Sequence, residues 1–189
     1  MYDILRDIIN NKAHLNNFHV SKHNNKNCLF IKENDPDAKC KYVDLVGFES
    51  SSTTFAFELD SKAIKCGHNT KLSPYFEDKK GLDKGNDGII FTTIKDKNYV
   101  FICELKDSSK GHIAQFKSTS CFIDYLKSIL KRFYKINTDD LIFKYIVFSK
   151  YGTTTKNTKG NYLSRNQEGF DVFNMKCCAK VEYYIKSFI

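Results

Sequence analysis

Two carboxylates and an ammonium stand at the ends of two neighbouring apolar runs. Glu104-Leu105-Lys106 closes the run from Tyr99 to Cys103, and Asp87 immediately precedes the run from Gly88 to Ile94. Charge is costly to take out of water, so a carboxylate and a lysine at the end of a buried strand call for a reason. Carboxylate oxygens hold a hard cation such as Mg²⁺, which keeps several waters and accepts phosphate oxygens. Such an ion acidifies a bound water and offsets charge on a phosphoryl group. A lysine nearby can orient the attacking water or stabilise the transition state. Gln115 both donates and accepts hydrogen bonds, which suits it to holding a water or a phosphate. The candidate catalytic residues are therefore Asp87, Glu104, Lys106 and Gln115. The candidate metal ligands are Asp87, Glu104 and the backbone carbonyl of Leu105.

These residues meet only if the surrounding elements are right. "GIIFTTI" (88–94) and "YVFICEL" (99–105) flank "KDKN", which reads as a four-residue hairpin turn. An antiparallel hairpin sets the start of its first strand beside the end of its second, so Asp87 should neighbour Glu104. Side chains alternate along a strand, which puts Glu104 and Lys106 on one face. Ser108 and Ser109 are N-cap candidates for a long helix over about residues 110–134. Its apolar stripe is Ile113, Phe116, Ile123, Leu126, Leu130 and Phe133, near the helical period. That helix carries Gln115 toward the hairpin end.

The rest of the chain frames this unit. Ile4, Leu5, Ile8 and Ile9 predict a short amphipathic helix over about residues 2–12. "CLFI" is a brief apolar run between the turn signals "NNKN" and "NDPD". "KYVDLVGFE", "TTFAFEL", "FKYIVFS" and "FDVFNM" read as strands, and "AKVEYYIKSFI" as a C-terminal helix. Residues 77–87 are a charged, glycine-punctuated loop. With no internal repeat and no linker composition, the pattern predicts one α/β domain over residues 1–189, a central mixed β-sheet flanked by helices.

Asp87, a strand, a second strand ending in Glu104-Leu105-Lys106, and a helix bearing Gln115 together resemble the PD-(D/E)XK nuclease superfamily. The resemblance covers about residues 85–149 and is best for the branch with a helical glutamine; Asn86 stands where many members have proline. It implies a restriction-endonuclease-like core in which Asp87 and Glu104 bind Mg²⁺ (or Mn²⁺) and Lys106 is catalytic. It further implies a metal-dependent endonuclease hydrolysing phosphodiester bonds, DNA in preference to RNA. Restriction, defence or repair is the expected setting, and a homodimer is expected by the same analogy. Many members carry an upstream helical acid. Glu58, read here on a strand, is the candidate, with Glu49 and Glu77 as rivals.

The tripeptide alone carries little. Glu77-Asp78-Lys79 repeats it without an apolar strand before or a long helix after. The bland reading is a charged hairpin end on a solvated face. A catalytically inactive nuclease-like module that binds nucleic acid or protein is the alternative function. A net charge of +8 favours a polyanionic partner, although solvated lysines on a Lys- and Asn-rich surface would give the same number. The loop after residue 149 offers Lys150, Lys156, Lys159 and Arg165, with Tyr151 and Tyr162 interleaved, and Lys110 precedes the long helix. Such residues position nucleic acid through its phosphates.

Seven cysteines at irregular spacings, with no secretory leader, predict free thiols in a reducing cytoplasm. Cys66-Gly67-His68 is half of a zinc site at most, because no second pair stands at finger-like spacing. His112 reads as a surface histidine near Gln115. No apolar run approaches the roughly 18 residues of a membrane span. Neither a nucleophile elbow nor a glycine-rich phosphate loop is present.

Overall fold

A computed structural model describes residues 1–21, 24–33, 35–59, 82, 84–107, 111–177 and 181–189. In chain order its elements are α1 (Tyr2–Ile8), β1 (Phe18–Val20), β2 (Asn27–Lys32), β3 (Tyr42–Phe48), β4 (Thr54–Phe57), β5 (Gly88–Ile94), β6 (Lys97–Lys106), α2 (His112–Tyr134), β7 (Ile142–Ser149), β8 (Arg165–Gln167), β9 (Phe170–Lys176) and β10 (Glu182–Tyr184). Short 3-10 helices occupy Asn11–Ala13 and Ile185–Phe188. The architecture is α/β with two mixed sheets, ordered β4-β5-β6-β7-β9-β8 and β1-β2-β3-β10.

Alternation along the strands builds two cores. Ile90, Phe101, Cys103 and Leu105 face Leu29, Ile31, Val43 and Leu45 between the sheets. Ile89, Phe91, Val100 and Ile102 face Phe116, Ile123, Leu126 and Leu130 of α2. The six-stranded sheet is thus covered on both sides, which explains why β5 and β6 read as nearly unbroken apolar runs. Gly88 marks a close approach of the layers: a Cβ there would lie 2.8 Å from Ile31 Cδ1. A larger residue there would require the Ile31 side chain to move aside.

Several expectations are corrected. The hairpin turn has two residues, not four: Ile94 pairs with Lys97, and Lys95 and Asp96 take φ of 49° and 60°. Two consecutive left-handed residues match the right-handed twist of the strands, so Lys97 and Asn98 belong to β6. The first helix ends at Ile8 rather than near residue 12, with Ile9 extended. The C-terminal helix is instead β10 and a 3-10 turn. Tyr183 and Ile185 are buried while Tyr184 is exposed, and that alternation suits a strand added parallel to β3. The polar loop after Ser149 hides one more strand, β8.

Helix α2 begins at His112 behind Gly111, whose φ is 85°; Ser108, Ser109 and Lys110 lie outside the described residues. Phe133, placed on its apolar stripe, is 77% exposed. Cys40 and Cys177 form a disulfide, which corrects the expectation of free thiols for this pair. It joins the segment before β3 to the residue after β9, and so links the two sheets. Cys28, Cys103 and Cys121 are free. No helix among the described residues is long and apolar enough to cross a membrane.

Candidate active site

The register of the β5–β6 hairpin aligns the candidate residues. Gly88 pairs with Cys103, so the next step along the ladder sets Asp87 opposite Glu104. Ile102 belongs to the core beneath α2, and by alternation Glu104 and Lys106 turn to that same face. Glu104 is 1% exposed and both its oxygens are held. Lys106 Nζ lies 2.8 Å from Oε1, and Asn86 Nδ2 donates to Oε2 at 2.7 Å. Asp87, half-buried, accepts the Leu105 N–H at 2.6 Å. In an extended strand a residue's N–H and C=O leave on the same side, so the Leu105 carbonyl also looks toward Asp87.

Gln115, in the first turn of α2, is buried and donates to the Gly85 carbonyl at 3.0 Å. It also stands close enough to Glu104 to favour that residue's ionised form. The helix therefore fastens the segment before β5 over the end of β6. Asp87, the run Glu104-Leu105-Lys106 and Gln115 form one cluster.

Burial and crowding set the charges. Asp87 is pushed well above the usual carboxylate range, first by burial and then by the Glu104 charge; the Leu105 N–H opposes this, Glu33 adds to it and Lys106 opposes it. Glu104 is also raised by burial, against Lys106, Asn86 and Gln115, which favour its ionised form. Two like charges in a dry corner favour a proton or a cation between them. A divalent ion fits this donor set. The carboxylates and the carbonyl are the oxygen ligands a hard cation takes, and Asn86 Oδ1 and Ser149 Oγ are buried without a hydrogen-bond partner. Ser149 pairs with Lys106 across β6 and β7, so this polar atom lies at the same end of the sheet.

Two residues of the cluster escape a reading of the sequence. Asn86 is the neutral donor that holds Glu104. Glu33 is the third carboxylate whose charge reaches Asp87; it follows β2, two residues past Ile31, on the side that faces β5. An acid just beyond the apolar run "CLFI" was the available signal. Glu58 lies one residue past β4 rather than on it, with its N–H on the Ala13 carbonyl. Glu49 sits at the far end of the hairpin, where it accepts the Lys95 N–H. Glu77, Cys66 and His68 lie outside the described residues.

The basic candidates divide. Lys150 follows β7 directly and stands at the cluster's end of the sheet. Lys156 lies over the Tyr162 ring, which packs on Phe188 in the layer between the sheets. Lys159 is an exposed residue of the same loop, and Arg165 is exposed at the β8 edge. His112 is not a surface residue: it is 5% exposed, bonds Gln167 Oε1 at 2.9 Å, and ties α2 to the outer edge of the sheet.

Compared with models of protein families, with curated proteins and with solved structures, the chain finds no match.

Proposed function

We propose that the chain is a metal-dependent nuclease of the PD-(D/E)XK type with a restriction-endonuclease-like core, hydrolysing phosphodiester bonds in DNA in preference to RNA. The observation that carries this reading is the pairing of Asp87 with Glu104, with Lys106 on one Glu104 oxygen and the Leu105 amide on Asp87. Asp87, Glu104 and the Leu105 carbonyl would hold Mg²⁺ or Mn²⁺. The ion would supply a bound water of lowered pKa and positive charge for the phosphoryl oxygens. Lys106, whose Nζ lies 2.8 Å from Glu104 Oε1, would orient the attacking water and face the developing charge. Gln115 holds the Gly85 carbonyl in place beside the cluster and favours the ionised form of Glu104. Lys150 and the basic loop behind it steer the phosphate backbone toward this end of the sheet.

Incubating the chain with supercoiled plasmid, single-stranded DNA and RNA, plus Mg²⁺ or Mn²⁺, tests the reading. Cutting should need metal, stop with chelator, and be lost in Glu104→Gln. Absence of products from every substrate at every metal concentration would overturn it. A second reading draws on the fact that both Glu104 oxygens are already occupied by Lys106 and Asn86. A nuclease-like module with that pair locked would hold nucleic acid without cutting, and its binding would survive chelation.

A further inference from the structure

The outward face of the four-stranded sheet carries a second cluster of a different chemical character. His19 of β1 pairs with Cys28 of β2. Asp44 of β3 pairs with Phe30, two residues from Cys28 on the same face, and Glu182 of β10 pairs with Asp44. Each of the four strands thus contributes one residue to a single row. Leu29, Ile31, Val43 and Leu45 alternate with them into the core, so the row points away from the other sheet. One ligand atom from each of His19, Cys28 and Asp44 lies within 4.8 Å of the others.

We infer that this row is a zinc site, with His19, Cys28 and Asp44 as ligands and Glu182 or a water in the fourth position. In a tetrahedral zinc site with nitrogen, sulfur and oxygen ligands the donor atoms are about 3.3–3.6 Å apart. The three donors, within 4.8 Å of one another, need to close by about an ångström to reach that spacing. Cys28 Sγ already lies 3.8 Å from Asp44 Oδ1. The His19 ring has Nδ1 against the Asn17 carbonyl at 3.1 Å, which leaves Nε2 for the metal, as the carbonyl partners of zinc-binding histidines do. Glu182 accepts hydrogen bonds from Ser21 Oγ and Asn24 Nδ2, both at 2.5 Å, and would have to exchange one of them to become the fourth ligand. A thiolate beside an imidazole selects zinc over the hard ions that suit Asp87 and Glu104. The metal replaces the Cys28 thiol proton, which leaves to solvent, and thiolate plus one carboxylate balance its two charges. Bound there, zinc pins the three-residue edge strand β1 to β2 and β3. This inference is independent of the nuclease reading.

Cobalt(II) titration of chelator-stripped protein tests it, because a cobalt–thiolate bond absorbs strongly in the near ultraviolet. The expected result is a charge-transfer band that saturates at one equivalent and is bleached by zinc. Cys28→Ser should abolish the band, and His19→Ala, at an exposed position, should weaken cobalt binding about tenfold or more. Glu104→Gln should leave the band intact, which separates the two sites. A band that persists in Cys28→Ser, wild-type affinity in His19→Ala, or no band at all would each overturn the assignment.

Discussion

The end of the β5–β6 hairpin and the outward face of the four-stranded sheet both gather ionisable groups on strands, yet they are assembled in opposite ways. The hairpin cluster is local: one turn, one register and the next helix bring Asp87, Glu104, Lys106 and Gln115 together. It is rich in oxygen, contains a lysine, and is dry enough to push both carboxylates up. The outer row is assembled from both ends of the chain, because β10 returns to pair with β3. It offers nitrogen, sulfur and oxygen together. Hard and soft donor sets are thereby kept on different sheets, with the layer of Leu29, Ile31, Phe101 and Leu105 between them.

The largest expected effect separates the two clusters by activity. Lys106→Ala and Asp87→Asn should each lower cleavage by about a hundredfold or more, the scale of losing one preorganised stabilising group. Single-turnover cleavage at saturating metal measures this, and wild-type rates in both variants would dissolve the hairpin site.

Next in size is the link between the sheets. Cys40–Cys177 closes a loop across 137 residues, and removing a native disulfide costs about 2–5 kcal/mol. Urea unfolding of the Cys40→Ala/Cys177→Ala variant should show a loss of that order.

The pH dependence of stability sharpens the contrast further. Asp87 and Glu104 have folded pKa values raised above their unfolded ones. The folded state therefore binds protons more tightly, and that stability is present at low pH and lost as pH rises through the raised values. Metal-free protein should melt at a lower temperature as pH climbs from the ordinary carboxylate range to neutrality. Asp87→Asn, or saturating Mg²⁺, should flatten the slope. A slope unchanged by either would mean that the two carboxylates do not compete for a proton.

The smallest effect concerns the basic loop. Lys150 stands at the cluster's end of the sheet, over the Tyr151 ring, whereas Lys156 lies farther along the loop over Tyr162. Lys150→Ala should reduce the salt dependence of DNA binding by about one phosphate contact, and Lys156→Ala should leave it unchanged. Fluorescence anisotropy over a salt series reads the difference.

What the sequence determined by itself was the local part. Two apolar runs around a turn define a hairpin and bring Asp87 to the end that carries Glu104 and Lys106; the two-residue turn, which the structure decided, sets Asp87 opposite Glu104 rather than Lys106. The period of α2 fixes which residues face the sheet, and with them Gln115. Only tertiary structure decided the rest. The charge of Glu33 acts on Asp87 because the β2 layer packs on β5 at Gly88, a proximity set by tertiary packing. "VEYYIKSF" is short and apolar enough for a helix or a strand, and the open edge of β3 selected the strand. The disulfide and the row of His19, Cys28, Asp44 and Glu182 need strands far apart in the chain to lie side by side. Strand pairing over such distances depends on which edges remain open once the local elements have formed, and spacing along the chain carries no record of that.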